Sequence, residues 1–283
     1  MHIEGGKIEG FKYGGLSPLD FSLNGELAGW WRATDGVQFL TGNYVDIWRD
    51  ISGYGRDLVS YTNNSNSYHV YMGRLENTQH GVAIGGGDGS ARMLCPSDTA
   101  FKTMFYDGRP ITIFIVFKCN YITGGGFNFI GSTDNVITPD YGRFTIAAPT
   151  TFGIGMSTQK WTSGASTNIA DNRIPADDTA IGAQVISLVD LGYNATSSTL
   201  HRKSYLNNVL KKEQKFSQAP GTGNDGNMFT VTFGGRQGNG TANNHIYEII
   251  IYDNTGKSQA QILDEHARLY NEYINIRYPN LYT

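Results

Sequence analysis

Residues Ile111 to Lys118 read Ile-Thr-Ile-Phe-Ile-Val-Phe-Lys. The run is short for a helix and rich in β-branched and aromatic side chains, so it reads as a strand buried on both faces. It is also the longest apolar run in the chain. At seven residues before the lysine it falls far short of the roughly 18 needed for a membrane span, so no membrane partner is expected.

Further β-signals surround it. Leu27 to Trp31, Val45 to Trp48, Val82 to Ile84, Phe127 to Ile130, Phe144 to Ala147, Phe152 to Met156 and Ala183 to Val189 are short apolar segments of strand length. Ser204 to Leu206 and Val209 to Leu210 flank Asn207-Asn208, a two-residue hairpin turn that asparagine's tolerance of positive φ allows. Phe229 to Phe233 alternates, with one face for the core and one for water. Ile246 to Tyr252 is the last strand, with Glu248, Ile250 and Tyr252 on one face and Ile249 and Ile251 on the other. Between these segments lie most of the 36 glycines in 283 residues, about 13% where roughly 7% is usual. They have no three-residue period, which excludes collagen. Seventeen Tyr and 14 Phe supply the mass for a core, which excludes disorder. The glycines therefore mark turns. Gly85 to Gly89 is read as one, since it lacks the Lys-Ser/Thr of a phosphate loop.

One helix stands out. Ser258-x-x-Gln261 is a capping box, and Leu263, Ala267, Tyr270 and Ile274 follow a helical stripe until Pro279. The spacing predicts a helix over Ser258 to Tyr278 with that stripe inward and Asp264, Glu265, Arg268, Asn271 and Glu272 in solvent. About a dozen strands, one terminal helix and no Pro/Ser linker predict a single large β-sandwich over residues 25–283. Residues 1–24 differ. Ile3-Glu4-Gly5-Gly6-Lys7 is echoed by Ile8-Glu9-Gly10-Phe11-Lys12, followed by Gly14-Gly15. This segment is either a loose arm or one that docks its Ile and Phe residues on a neighbouring subunit. The N-terminal MHIEGGKIEG has no apolar h-region, so no standard secretory signal is expected.

Lys plus Arg is 22 against 25 Asp plus Glu, a formal charge of −3, which argues against a nucleic-acid partner. Catalytic and metal patterns are sparse. Cys95 and Cys119 are too few for a disulfide scaffold and have no zinc spacing, so both are expected as buried reduced thiols. The six histidines show no H-x-H or HExxH spacing, and no G-x-S-x-G elbow occurs. A glycosidase needs two carboxyls about 5 to 9.5 Å apart across the sugar. Glu248 and Asp253 sit on opposite faces of their strand, and Asp177-Asp178 belong to a Pro-led loop.

Several motifs in order carry a family resemblance. Trp30-Trp31-Arg32-Ala33-Thr34-Asp35-Gly36 precedes Val45-x-x-Trp48-x-Asp50-x-Ser52-Gly53-x-Gly55-Arg56-Asp57-Leu58. Ile111 to Lys118, Tyr205-Leu206-Asn207-Asn208, Phe233-Gly234-Gly235-Arg236 and Ile246 to Asp253 with its following helix complete the set. Over about residues 27 to 279 the chain resembles concanavalin A-like, laminin-G-like jelly-roll domains of the kind found in bacteriophage structural proteins. The resemblance implies an all-β fold, a two-sheet antiparallel jelly-roll sandwich with a C-terminal helix. Asn208 stands where that family usually has Gly, and Gly85-Gly86-Gly87 where an aromatic strand residue is usual. The jelly-roll glucanases of this superfold use an E-x-D-x-x-E stretch, and this chain has none. No catalytic residue is therefore expected. Several laminin-G-like domains hold a calcium ion with loop oxygens, yet no D-x-D-x-D cluster stands here, so no metal or other cofactor is expected, a loop-held calcium ion being the alternative that goes with a free lectin. Asp50 is expected to cap an Asx turn through backbone N–H groups, with Trp48 as core beneath it; the alternative is a ligand for a cation or glycan.

What remains is binding. Loops rich in Asn, Asp, Tyr and Trp suit sugars, because aromatic faces stack on C–H patches while amides and carboxylates bond hydroxyls. Candidate ligand-binding residues are Tyr141, Trp161 and Asn168 in the 131–180 region, and Asn243, Asn244 and His245 in the 236–245 loop. Trp161 reads either as an exposed binding aromatic or as packing. Two functions fit: a non-enzymatic virion structural or accessory protein adhering to surface glycans, or a free lectin or glycoside hydrolase. The first implies neighbouring virion proteins as partners of the arm, a homo-oligomer as one arrangement, and the virion as location.

Overall fold

The computed structural model describes residues 16–21, 26–42, 44–60, 70–74, 82–86, 92–95, 99–105, 107–119, 128–132, 142–147, 155–162, 165–172, 174, 182–216, 229–232 and 244–279. In chain order the strands are β1 (Leu27–Arg32), β2 (Val37–Thr41), β3 (Tyr44–Trp48), β4 (Leu58–Ser60), β5 (Val70–Arg74), β6 (Val82–Gly86) and β7 (Arg92–Cys95). A short helix α1 (Thr99–Thr103) precedes β8 (Ile111–Cys119), β9 (Asn128–Ser132), β10 (Gly142–Ala147), β11 (Gly155–Thr162) and β12 (Ala165–Asp171). Then come β13 (Gly182–Asn194), β14 (Thr199–Leu206), β15 (Val209–Phe216), β16 (Phe229–Thr232), β17 (Asn244–Asp253) and helix α2 (Gln259–Leu269).

Two antiparallel sheets face each other. The first runs β15-β14-β13-β8-β17, and the far edge of β17 is shared by β1 and by β6, which pairs on with β5. The second runs β12-β11-β10-β9-β16-β7-β4-β3-β2. A single residue pair, Tyr44 opposite Tyr71, joins β3 to β5 at the seam. The expected β-sandwich with its C-terminal helix is thus the observed fold.

The Ile111 strand sits where its sequence demands. In β8, Ile113, Ile115 and Phe117 enter the core between the sheets beside Trp31, Trp48 and Phe101. Phe114 and Val116 enter a second core under the C-terminal helix beside Trp30, Ile250 and Tyr273. Period-two alternation alone assigns these faces. Strand β17 obeys the same rule, sending Ile249 and Ile251 between the sheets and Ile250 and Tyr252 towards the helix. In β1 the two tryptophans of the Trp-Trp motif split the same way. The Trp31 indole lies over Gly29, where an added Cβ would come within 2.4 Å of the ring.

The Asn207-Asn208 turn forms as expected, with φ of 52° and 63° at its two central residues. Asn207 is also anchored, its carboxamide oxygen accepting from the Val185 N–H at 2.9 Å. Cys95 is a buried free thiol; Cys119 lies in β8, and its side chain falls outside the described set. Two strand readings need correction. Gly85 and Gly86 belong to β6, where they pair with Tyr71 and Val70, rather than to a turn. The strand expected at Phe152 to Met156 extends further: its Gly155 and Met156 open β11, which runs on to Thr162 because its polar residues pair with β10 and β12, and 152–154 lie outside the described residues.

The helix starts at the expected cap. Ser258 Oγ accepts from the Gln261 N–H and the Gln261 side chain accepts from the Ser258 N–H, closing the capping box. Of the expected stripe Tyr270 and Ile274 are buried, while the first half is offset by one residue. Ile262, His266 and Leu269 are buried, whereas Leu263 and Ala267 are half-buried. Scoring histidine as polar hides the Ile262–His266–Leu269 row. A π turn at Tyr270–Ile274 then adds a residue to the helical repeat and turns Tyr270, Tyr273 and Ile274 inward together. Three more helical residues, Asn275–Arg277, lead to buried Tyr278. The polar face is as expected in Asp264, Arg268 and Asn271, which are exposed; Glu265 and Glu272 are half-buried against Lys257 and Arg268.

The described end of the N-terminal arm packs on its own chain. Pro18–Phe21 forms a 3-10 turn, Phe21 enters the helix-side core, and Tyr252 Oη donates to the Pro18 carbonyl at 2.9 Å. Residues 1–15, with the I-E-G-x-K echo, lie outside the described residues.

Candidate functional site

The turn between β3 and β4 is built around one carboxylate. Asp50 Oδ1 accepts from the backbone N–H of Trp30 at 3.0 Å and of Ser52 at 2.9 Å, and Oδ2 accepts from the Arg56 N–H at 3.1 Å. Three backbone donors saturate it, so Asp50 is the Asx-turn residue expected, over a fully buried Trp48. Gly53 at φ 98° and Gly55 at φ 69° take the left-handed conformations that close the loop. Between them, Tyr54 is 50% exposed.

Beneath that ring is a stack. The Arg56 guanidinium lies 4.5 Å from the Tyr54 ring centroid and 4.6 Å from that of buried Phe101. Arg56 also donates to the Ala28 carbonyl, and its own carbonyl accepts from Trp31 Nε1 at 3.1 Å. Phe101 in turn packs edge-on against Phe105 at 5.3 Å. The order from core to surface is Phe105, Phe101, Arg56, Tyr54. Beside the loop, exposed Arg49 donates to Asp57 Oδ2 at 3.2 Å and to Gln38 Oε1 at 3.1 Å, while Asp57 Oδ1 accepts from the Asp50 N–H at 2.9 Å. Gln38 leads into the β2–β3 hairpin, whose Phe39, Leu40 and Tyr44 are exposed.

The residues expected from sequence are spread more widely. Trp161 and Asn168 lie on the β11–β12 hairpin, with Trp161 opposite Ser166 and Asn168 opposite Gln159. These are register positions of equal parity, two steps apart on the ladder. Strand β12 pairs with β11 alone among the described strands, so the hairpin is a sheet edge. Asn244 opens β17 opposite Cys119. His245 is a strand residue rather than a loop residue: it pairs with Gly85 and Lys118 and is buried at 6% exposure. Tyr141 and Asn243 fall outside the described residues, as do Asp177-Asp178. The structure therefore brings Trp161 and Asn168 together on one hairpin and places Asn244 and His245 on the other sheet.

Sequence reasoning missed two features. Tyr54 was legible in principle, as an aromatic between two glycines just after an Asx turn. Glu248 was not, beyond being an acid inside an apolar strand. Its carboxylate is fully buried on the helix side of β17. Oε1 accepts from Trp30 Nε1 at 2.5 Å and from Tyr273 Oη at 2.6 Å, and Oε2 from Tyr278 Oη at 2.7 Å. Burial, reinforced by this carboxylate, raises both tyrosine pKa values well above 10. A second buried acid, Asp190, accepts from Arg202 Nε at 2.8 Å and from the Gly192 N–H at 3.0 Å. Burial raises its pKa against the pull of Arg202. These carboxylates face donors inside the fold and are structural acceptors. Among the described residues, no group of three or more His, Cys, Asp or Glu is arranged to hold a metal ion.

Comparison with known proteins gives fold relatives. No protein-family profile matches the chain, and no curated protein sequence matches it. Among solved structures, it is similar to domain 4 of AbnA, a GH43 extracellular arabinanase from Geobacillus stearothermophilus, in complex with arabinotriose. That match has a TM-score of 0.50 at 14% identity and covers 85% of this chain and 98% of the other. It is also similar to a point mutant of HCR D/C VPI 5995, with a TM-score of 0.51 at 11% identity, covering 87% of this chain and 53% of that one. The binding domain of botulinum neurotoxin serotype D/C VPI 5993 matches at a TM-score of 0.49 and 11% identity. The chain spans about half the length of these toxin domains and nearly all of the arabinanase domain. At these identities the likeness shows a shared β-sandwich fold.

Proposed function

We propose that this chain is a glycan-binding β-sandwich module that acts by adhesion rather than catalysis. The observation that carries the reading is the match over 98% of a domain whose structure holds arabinotriose. Two features of this chain support it. Its described buried carboxylates Asp50, Asp190 and Glu248 are engaged by internal donors, and it displays a held aromatic on the Trp48–Leu58 turn. The edge hairpin carrying Trp161 and Asn168 is a second candidate surface.

A glycan array probed with the intact chain tests this. The expected result is selective binding to a small set of glycans without release of reducing ends. Binding to none would overturn the reading. Cleavage of a bound glycan would establish the alternative, a glycoside hydrolase, which the arabinanase origin of the matched domain favours. As its setting we propose the surface of a virus particle, reached through the sequence resemblance to bacteriophage structural domains, with residues 1–24 contacting neighbouring virion proteins. Mass spectrometry of purified particles that lacked this chain would overturn that setting.

A further inference from the structure

Most described aromatic side chains of this protein are buried, with Trp30, Trp31, Trp48, Tyr247, Tyr252, Tyr270, Tyr273 and Tyr278 at 5% exposure or less. Tyr54 departs from that pattern in a specific way. One face of its ring rests on the Arg56 guanidinium, which itself rests on buried Phe101. The residue as a whole is still 50% exposed. The loop below is fixed by three hydrogen bonds to Asp50 and by the carbonyls and amides around Arg56. At Gly53 and Gly55 an added Cβ would meet nothing within 4 Å, so the loop backbone on either side of Tyr54 is uncrowded. A ring held this way loses little side-chain entropy when a ligand stacks on it.

The polar groups of the same turn, and of strand β2 hydrogen-bonded to it, set the ligand chemistry. Arg49 offers guanidinium donors, Asp57 a carboxylate acceptor, and Gln38 both an acceptor and a donor. Arg49 is paired with Asp57, and Arg56 and Asp50 add one charge of each sign, so the described charges of the loop are even in number and favour no anion. Adjacent donors and acceptors beside a flat apolar face match the vicinal hydroxyls and C–H face of a neutral sugar.

Resting on the glycan-binding reading above, we propose that the Tyr54 loop is the saccharide platform of this protein: the outer face of Tyr54 stacks on a neutral sugar ring, and Arg49, Asp57 and Gln38 bond its hydroxyls. The site lies on the Trp48–Leu58 turn, away from the edge hairpin of Trp161.

The test uses the intact chain and a neutral glycan first identified on the array. Titration calorimetry of Tyr54→Ala should show a loss of affinity of about tenfold or more, the scale of one lost aromatic stack. Tyr54→Phe keeps the ring and should bind within about twofold of wild type, while Arg49→Ala should weaken binding and Trp161→Ala should not. Because Tyr54 is half exposed, circular dichroism of Tyr54→Ala should match wild type. In wild type, backbone amide shifts on sugar addition should concentrate in residues 49–57. Wild-type binding that survives Tyr54→Ala, or shifts confined to the β11–β12 hairpin, would overturn the platform and leave the glycan-binding reading intact. An array on which wild type binds only anionic glycans would overturn the neutral-sugar assignment. No binding by wild type at all would overturn both.

Discussion

Replacing Glu248 probes the energetics of the helix-side core most directly. Its carboxylate accepts three hydrogen bonds of 2.5, 2.6 and 2.7 Å from Trp30, Tyr273 and Tyr278, all of them buried. A hydrogen bond to a charged partner contributes about 1.5–3 kcal/mol, so Tyr278→Phe should cost about 2 kcal/mol. Glu248→Leu does more. It strands an indole N–H and two phenol O–H groups, each costing about 1–3 kcal/mol, while relieving the burial of one charge. The net loss should be about 4 kcal/mol, a large part of the 5–15 kcal/mol that stabilises a typical domain. Glu248→Gln keeps one acceptor and should fall between the two.

Guanidinium unfolding followed by tryptophan fluorescence reads these differences, since Trp30 lies in the helix-side core and Trp31 in the core between the sheets. The double mutant supplies the decisive number. If the carboxylate is the shared acceptor, Tyr278→Phe should cost almost nothing in the Glu248→Leu background, because the hydroxyl it deletes is already unpaired. A Glu248→Leu protein within about 1 kcal/mol of wild type would refute the argument. Full additivity of the two changes would refute it equally.

Two further perturbations bear on the same face. Ile262→Ala removes a fully buried side chain and should cost about 2–5 kcal/mol, Leu263→Ala clearly less, and Glu272→Ala almost nothing; equal losses at Ile262 and Leu263 in thermal melts would contradict the observed stripe. His266 is stacked on Phe114 and Tyr205, bonds Ser187 Oγ at 2.7 Å, and is pushed down to about 4 by burial. Its folded pKa is below its unfolded value of 6.5, so the stability it contributes is complete above that value and is lost as pH falls towards 4. His266→Gln should flatten the stability profile between about pH 6.5 and 4, and an unchanged slope would show that other groups govern it.

The sequence announced those parts of the fold that obey a strong local rule. The doubly apolar Ile111 strand, the alternating faces of β17, the Asn207-Asn208 turn and the Ser258 cap each follow from a period or a backbone preference that a few residues fix. What escaped has little apolar signal of its own and is decided by the strands it pairs with. β2, β4, β5, β7 and β12 carry weak apolar signals and exist because a neighbouring ladder completes their hydrogen bonds. The helix stripe was misread by one residue because His266, polar by type, is neutral and stacked inside. Of the candidate site, the Asp50 turn was legible and Tyr54 above it was passed over, since exposure is a property of the whole fold.

The burial of Glu248 and the exposure of Tyr54 are linked by the same strand. In β1, Trp30 and Trp31 point to opposite faces: Trp30 donates to Glu248 under the helix, and Trp31 donates to the Arg56 carbonyl beneath the exposed ring. The Trp30 N–H also bonds Asp50, which fixes the turn that carries Tyr54. One six-residue strand therefore anchors both the C-terminal helix and the loop proposed to meet the sugar. Any loosening of β1 would release the Asp50 turn as well as the helix, because hydrogen bonds from this one strand hold both. If the proposed platform binds a sugar, it does so with side chains that the sandwich already holds in place, at little ordering cost.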